Sequence, residues 1–293
     1  SAFKNQSLNN SIGLSGQLTH AQCFTRFPIP LAFWSAINFL QNFKTKYFFI
    51  TLLLVVYQFY CVIYLGFMLA IPIAAIILYS FFIHYRLIKP QLIRLLSSAA
   101  ISSVTLLPLM IPYIDRADLF GLKKYAEIKQ NLPTIYSYFF IGEGSLYTSI
   151  FGETGKHLNS FWNHYLFTGF IPLLSILLCV IIAVKKINER DLNKIYLALL
   201  VSALVTFVIF FRIGDFSLYK YIFTLPGFGS MRALQRIINI EIVYISIAIA
   251  VLYNWLLKRF PSKGVSIFLL FIFFLLIDNY KDPKSYKVVN KKE

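Results

Sequence analysis

Acidic residues and cysteines are scarce in this chain, and each scarcity excludes something. Only 12 of the 293 residues are Asp or Glu, against 28 Lys and Arg, and just three are cysteines. Cys23 lies in a polar segment, whereas Cys61 and Cys179 lie in apolar runs, so their placement argues against a disulfide framework. Their spacing matches no metal-binding motif either. We therefore expect the cysteines to act as small apolar side chains.

Charge of either sign is also rare, and this argues against a soluble domain. Charged residues make up 14% of the chain and hydrophobic residues 58%, and the mean hydropathy is +0.68. Several apolar runs approach the roughly 20 residues that an α-helix needs to cross a bilayer. Segments that alternate between apolar and polar residues, which are typical of strands, are missing. The sequence predicts an all-α fold, a polytopic transmembrane helix bundle of about seven to eight spans.

The apolar runs locate these spans. The run 47–85 would form a helix about 58 Å long, roughly twice the hydrocarbon thickness, so we expect two spans joined by a turn near residues 60–66. The segment 28–40 predicts a short tilted span or a re-entrant helix. The other predicted spans are 93–111, 165–184, 195–211, 237–257 and 265–280.

The basic residues predict how the bundle is oriented. Twelve of them fall within the 34 residues of four short connections, 41–46, 85–94, 184–194 and 257–263. Dense cations in short loops mark the cytoplasmic side. The loops 115–163 and 212–236 and the tail 281–293 are then extracytoplasmic, as are both ends of the chain.

The basic residues are spread along the chain, which indicates what kind of partner the protein binds. The net charge of +16 is spread over many loops, so it forms no single patch for nucleic acid, and we expect membrane lipids as partners instead. Residues 1–293 read as one integral membrane domain. Because the chain starts at Ser1 without a signal-peptide pattern, we expect it to be a fragment of a longer protein.

Two arginines at the entrance of a predicted span are the most informative polar residues. Arg232 and Arg236 precede the apolar segment 237–257. If the segment is helical, their spacing of four places them on one face, and Asn239 falls on that face too. Guanidinium groups in this position either extend into the lipid headgroups as membrane anchors or bind an anionic ligand such as a phosphate.

A second group of polar residues occupies the predicted outward loops. Its members are Glu153, His157, His164, Arg212 and Asp215. They form a possible polar site, although charged residues just beyond a span are also typical interface anchors. The sequence has no HExxH, paired CxxC or nucleophile elbow, so it predicts no metal site and no cofactor.

Glu241 is the one carboxylate that the pattern places clearly inside a span. A charged carboxylate is costly there, so it needs a partner or a proton. Arg212, at the start of an outward loop, is one candidate partner. A structural ion pair and a functional group are both consistent with this position.

Three short stretches resemble a known family. They are Leu225-Pro226-Gly227-Phe228 with Met231-Arg232-Ala233 and Arg236, His20-Ala21-Gln22 with Arg26-Phe27-Pro28-Ile29-Pro30-Leu31, and Leu166-Phe167-Thr168-Gly169. Together they resemble the YfhO-like group of large bacterial membrane proteins, which is related to the GT-C superfamily of glycosyltransferases that use lipid-linked sugars. The chain departs from that pattern at Asn163, where relatives often carry Glu.

The resemblance implies a GT-C-like fold and an activity in the cell envelope. It implies a transferase that takes a sugar from a polyprenyl-phosphate donor at the outer face of the bacterial cytoplasmic membrane, with Arg232 and Arg236 holding the lipid phosphate. It also places the catalytic carboxylate, and the ligands of any divalent metal, upstream of Ser1. Alternatives are a transporter, flippase or polymerase of lipid-linked glycans, or an inactive scaffold.

Overall fold

The structure, a computed structural model, describes residues 25–120, 124–185, 192–280 and 282, and these residues form mainly α-helices joined by loops. These residues contain no β-strand, only an isolated bridge between Ile213 and Phe216. The helices are α1 Pro28–Asn42, α2 Thr45–Cys61, α3 Ile63–Ile88, α4 Leu92–Phe120, α5 Tyr125–Lys129, α6 Ile135–Tyr138, α7 Thr148–Phe151, α8 Phe170–Lys185, α9 Leu192–Phe210, α10 Tyr219–Ile222, α11 Ile238–Arg259 and α12 Gly264–Asp278. The predicted all-α fold class is confirmed.

Three helical segments are long and apolar enough to cross a membrane, by length and composition. They are Ile63–Asp115, which covers α3 and most of α4, then Leu234–Arg259 and Pro261–Asp278. On the last of these, Val265 is 75% exposed and Leu276 is 66% exposed. An apolar helix with so much bare surface is compatible with a lipid environment.

The long apolar run 47–85 breaks where the sequence predicted. Helix α2 ends at Cys61, Val62 is extended (φ −153°, ψ 104°), and α3 begins at Ile63. Gly66 allows the two helices to approach, because a Cβ there would lie 2.4 Å from the ring of Phe59. A side chain at residue 66 would therefore push α2 and α3 apart.

Two predicted boundaries were misplaced. Helix α4 continues through Pro108 and Pro112 to Phe120, so the outward loop predicted to start at residue 115 begins as helix. Conversely, α8 starts at Phe170 and not near residue 165. The preceding residues 164–169 form no helix, and the N–H groups of Leu166 and Phe167 donate to the carbonyls of Ser137 and Phe140 at 3.1 and 3.3 Å. These bonds to the loop replace the helical bonds that the apolar pattern predicted.

The core lies between α1, α2, α3, α9 and α11. Leu65, Met68 and Leu69 on α3 are fully buried at its centre. Ala32 and Ala36 on α1 are also fully buried, and such small side chains let neighbouring helices pack closely.

The ends of the long helices form two groups. We call the end that carries the loops 124–169 and 211–237 the loop end, and the end that carries the short connections 43–44, 89–91 and 260–263 the cation end. At the loop end, Gln58 Nε2 donates to the carbonyl of Thr25 at 3.2 Å, and Tyr147 Oη donates to Asp278 at 2.6 Å. At the cation end, Thr45 Oγ1 donates to Gln91 at 2.8 Å. The loops predicted to share the extracytoplasmic side all belong to the loop end. Their placement relative to a membrane stays a prediction, and of the predicted tail 281–293 only residue 282 is described.

Candidate functional site

The segment that carries Arg232 is anchored on α3. Gly227 has φ +85°, and a Cβ there would lie 2.0 Å from the ring of Phe67. The ring of Phe228 packs against Phe67 at 4.9 Å, and Met231 is fully buried. Glycine is needed at residue 227 both for its conformation and for the close approach of the ring. The turn therefore fixes where the following arginines emerge.

Arg232 and Arg236 do not share a helical face, which corrects the prediction from their spacing. Ala233 lies outside the helical region (φ −106°, ψ 68°), and the first helical turn is the 3₁₀ segment Leu234–Ile237. Arg232 thus precedes the helix and is exposed. The guanidinium of Arg236 lies over the ring of Tyr64, 5.4 Å from its centre.

A third arginine, which the sequence did not single out as a site residue, joins this region. Arg26 Nη1 donates to Asn239 Oδ1 at 2.6 Å. Asn239 Nδ2 in turn donates to the backbone carbonyl of Arg236 at 2.7 Å. Asn239 itself is 3% exposed. Arg26, Asn239 and Arg236 therefore form one cluster, which we call the arginine clasp. The sequence signals for Arg26 were its position just before an apolar segment and its place in one of the stretches that resemble the YfhO-like group.

An apolar groove of about 680 Å³ leads away from the clasp. Arg26 and Asn239 stand at the starts of α1 and α11, and the groove continues along both helices. Its walls are mainly Ile29, Phe33, Trp34 and Ile37 of α1 and Ile242, Val243, Ile247 and Ala250 of α11. This arrangement suits an amphiphile, with a hydrocarbon chain between the helices and a negative head at the clasp.

Three of the predicted polar residues meet in a different cavity, of about 850 Å³. His157, Arg212 and Asp215 line it together with Gln130 and Asn159. We call it the Arg212 cavity. It lies among the loops of the loop end, away from the groove of α1 and α11.

The walls of the Arg212 cavity are held by contacts between loops. The N–H of Arg212 donates to the carbonyl of Pro133 at 2.9 Å, and the rings of Tyr136 and His157 meet edge to face at 4.8 Å. Lys129 forms an ion pair with Asp215. The hydrogen bond that Lys129 donates to Asp215, together with the charge of Lys129, lowers the pKa of the Asp215 carboxyl, so Asp215 is ionised at neutral pH.

His164 lies in neither cavity but in a buried polar network. Its side chain is fully buried; Nδ1 is 2.8 Å from Ser137 Oγ, and Nε2 is 3.4 Å from Gln235 Nε2. Gln235 also donates to Asn131 at 3.3 Å. Burial, reinforced by the charge of Arg212, lowers the pKa of His164 to about 4. The imidazole is therefore neutral at pH 7 and links the loop 131–164 to the start of the α11 segment.

Glu241 does not pair with Arg212, so the candidate partner from the sequence was wrong. Tyr138 Oη donates to Glu241 Oε1 at 2.6 Å. Oε2 of Glu241 and Nε of Arg212 are both buried and have no hydrogen-bond partner among the residues described. The phenol of Tyr138 occupies the place that a cation was expected to take.

Glu153 remains at the surface, where it forms an exposed ion pair with Lys156. An exposed pair three residues apart contributes little to stability. Within the described ranges, no three His, Cys, Asp or Glu side chains are grouped as ligands for a metal ion. Glu153 therefore has no geometric link to the clasp or to the Arg212 cavity.

Asp278 is a structural residue that sequence reasoning missed. Its carboxylate is 2% exposed and accepts hydrogen bonds from Tyr147 Oη at 2.6 Å and from the N–H of Ile171 at 2.8 Å. It thereby caps the first turn of α8 from a different helix. Gly169, with φ +108°, allows this approach, because a Cβ there would lie 2.7 Å from Asp278 Oδ2. A lone carboxylate at the end of an apolar run was the available signal.

In the part of the chain that the structure describes, these contacts define a helical fold with helices of membrane-spanning length, an apolar groove between α1 and α11, and a separate cavity among the loops. Comparisons with protein-family models, with curated proteins and with solved structures find no match for the chain. The resemblance to the YfhO-like group and the GT-C superfamily therefore stays a hypothesis, and function is argued from geometry.

Proposed function

We propose that the chain is a GT-C-like membrane glycosyltransferase that acts on a polyprenyl-phosphate-linked sugar at the outer face of the bacterial cytoplasmic membrane. The observation that supports this proposal is the apolar groove between α1 and α11, which has the arginine clasp at one end. In this proposal the polyprenyl chain lies in the groove and the phosphate lies at the clasp.

The bundle supplies enough helices for the proposed seven to eight spans. Besides the three segments of spanning length, α2, Phe170–Ile182 of α8 and Lys194–Phe210 of α9 are apolar but shorter. Helix α1, with 15 residues, is about 22 Å long and would need local thinning of the bilayer. The clustered cations at the cation end support a cytoplasmic position for that end.

The chemistry of the groove fits the two parts of such a donor. A polyprenyl chain is a branched hydrocarbon, and the groove walls are aliphatic and aromatic side chains. A phosphate attracts guanidinium groups, whose charge-assisted hydrogen bonds are roughly twice as strong as neutral ones. Exposed Arg232 and partly buried Arg236 add two further cations to the segment that leads into α11.

The arginines would also contribute to the transfer step. In an inverting transfer the acceptor hydroxyl attacks the anomeric carbon, the bond from that carbon to the phosphate oxygen breaks, and a base takes the hydroxyl proton. Negative charge then grows on the leaving lipid phosphate. Fixed guanidinium groups at the clasp would stabilise this charge.

Binding of a labelled polyprenyl phosphate to the purified chain tests the proposal. We expect Arg26→Ala, and the double variant Arg232→Ala/Arg236→Ala, to bind at least about tenfold more weakly, because each removes charge-assisted contacts. The matched control is Lys258→Ala/Arg259→Ala, which removes two exposed cations from the other end of α11. Equal losses in all three variants, or none, would contradict a specific site at the clasp.

A second assay separates transfer from transport. Loss of sugar transfer from a polyprenyl-phosphate sugar to an acceptor in the clasp variants, with the control active, supports the glycosyltransferase. Wild-type protein that binds the lipid and moves it across vesicles without transferring sugar would show a flippase instead.

A further inference from the structure

The Arg212 cavity has the features of a second ligand site. Its volume is about 850 Å³, and the residues that line it include Gln130, Tyr136, Asn159 and Arg212. This volume is in the range of small-molecule sites. Unlike the groove, it combines apolar residues such as Leu158 and Phe211 with the amides of Gln130 and Asn159 and the guanidinium of Arg212, so we expect a ligand that has both polar groups and an apolar face.

The position of Arg212 is set by its backbone rather than by a partner for its side chain. Its N–H is bonded to the carbonyl of Pro133, and the next residues form a tight turn in which Ile213 and Phe216 exchange hydrogen bonds of 3.0 and 2.9 Å. Gly214, with φ +54°, occupies this turn. The arginine is therefore presented at the cavity wall by rigid local structure.

The guanidinium of Arg212 has no ion pair or side-chain hydrogen bond with any residue in the described ranges, and its Nε is buried. The carboxylate nearby, Asp215, is already paired with Lys129. His164, which feels the charge of Arg212, is kept neutral by burial. Two cations, Lys129 and Arg212, thus stand near the single carboxylate of Asp215. The net positive charge that remains, beside a buried N–H group without a hydrogen-bond partner in the described part of the chain, favours an oxyanion.

The other lining groups indicate what carries the oxyanion. The amides of Gln130 and Asn159 each offer a donor and an acceptor, as hydroxyl groups require. Tyr136 is 49% exposed and is held in place by its ring contact with His157, so it presents an aromatic surface to a ligand. Amides around a fixed aromatic ring suit a polyhydroxylated ring such as a sugar.

We propose that the Arg212 cavity binds a water-soluble sugar phosphate, with Arg212 on the phosphate and with Gln130, Asn159 and Tyr136 around the sugar. This proposal does not rest on the lipid-phosphate function, because the groove and the cavity are lined by different elements. The phosphate itself has two possible sources, a soluble sugar phosphate or a lipid headgroup, and the experiment separates them.

The experiment measures binding of glucose 1-phosphate, inorganic phosphate and polyprenyl phosphate to the full chain in detergent by calorimetry. Glucose 1-phosphate should bind more tightly than inorganic phosphate. Arg212→Gln should weaken both at least about tenfold, the loss expected for a charge-assisted contact. Lys220→Gln, which removes an exposed cation from the same loop, should leave both unchanged.

A second variant gives the opposite sign and does not depend on the folding of Arg212→Gln. The side chain of Asp215 is 97% exposed, so Asp215→Asn is expected to fold. It removes a negative charge and frees Lys129, so inorganic phosphate should bind several-fold more tightly. Unchanged or weaker phosphate binding in Asp215→Asn overturns the proposal. So does a loss in Arg212→Gln that is confined to polyprenyl phosphate, since the site would then serve a lipid headgroup.

Discussion

The two ends of the helix bundle differ in how they use polar residues. At the loop end, buried polar groups such as His164, Asn239 and Asp278 bond to residues far away in the sequence. At the cation end, the connections are short and basic, and a cluster of buried apolar side chains, which includes Phe39 and Phe48, packs beside them. The comparison shows two uses of polar residues. The basic connections of the cation end are suited to orienting the chain in a membrane, whereas the buried polar groups of the loop end hold the loops around the clasp and the Arg212 cavity.

The largest effect is expected from a side chain at Gly227, which would break the turn of the loop end. Gly227→Val combines an unfavourable positive φ with a clash against Phe67, and we expect it to lower the free energy of unfolding by roughly 3–5 kcal/mol. Denaturant unfolding in micelles measures this. The control is Gly214→Ala, where φ is also positive but no atom lies within 4 Å of the new Cβ, so only about 1 kcal/mol is lost.

The next largest effect tests the buried carboxylate of the loop end. Asp278→Ala leaves Tyr147 Oη and the N–H of Ile171 without their acceptor, which should cost about 2–4 kcal/mol of unfolding free energy. Thermal unfolding of the same preparations measures it. Its neighbour Asn279 is exposed, and Asn279→Ala should change stability by less than about 0.5 kcal/mol. Equal effects at the two positions would contradict a capping role for Asp278.

The free energy of unfolding should depend on pH because His164 is buried in the polar network of the loop end. In the folded chain the pKa of His164 is lowered to about 4 from 6.5, so the unfolded chain binds the proton first. Stability is therefore complete above pH 6.5 and falls as the pH drops toward 4, by roughly 2 kcal/mol between pH 7.5 and 5.

Unfolding of His164→Gln at both pH values checks this assignment, because the variant should lose that part of the dependence. The exposed His157 provides the control: His157→Gln should keep it. A pH dependence that survives in His164→Gln would assign it to other groups.

A smaller effect is expected from filling the groove. Ala250 lines it and is exposed, so Ala250→Phe should weaken polyprenyl-phosphate binding about tenfold by occupying the space of the chain. Fluorescence competition with the labelled lipid measures this. Ile272→Phe, on the exposed face of α12, adds similar bulk outside the groove and should have no effect.

The smallest effect is expected at the cation end. Lys258→Ala/Arg259→Ala removes exposed charges for which the described residues provide no ion pair, and stability should change by less than about 0.5 kcal/mol. Unfolding in micelles tests this. A loss comparable to that of Asp278→Ala would remove the contrast between the two ends.

Local patterns predicted much of the fold but little of the site geometry. The apolar runs located most of the long helices, and the excess length of residues 47–85 predicted the break at Val62. They missed the start of α8, because apolar residues before Phe170 are buried against a loop instead of forming helix. A non-helical segment that is buried in the protein and a helix that crosses a membrane are both rich in apolar residues, so hydropathy alone does not distinguish them.

The sequence singled out Arg236 and Glu241 but not the residues that they contact. Asn239, which bonds to the backbone of Arg236, also accepts a hydrogen bond from Arg26, 213 positions away, and no local pattern encodes that contact. The prediction that Arg232 and Arg236 share a helical face was wrong, because Ala233 is not helical and the helix therefore begins only after Arg232. Glu241 accepts a hydrogen bond from Tyr138 and does not pair with Arg212. The charge of a carboxylate predicts that it needs a partner, but only the packing of the helices decides that the partner is a neutral phenol.

The arginine clasp also has a consequence for the order in which the protein is made. One wall of the groove comes from α1 and the other from α11, and Arg26 and Asn239 are 213 positions apart, so the groove does not exist until α11 has been synthesised. A nascent chain halted before α11 has Arg26 but no Asn239 to hold it. If the groove binds a lipid-borne ligand as proposed, the ligand can therefore be captured only after α1 and α11 have packed together.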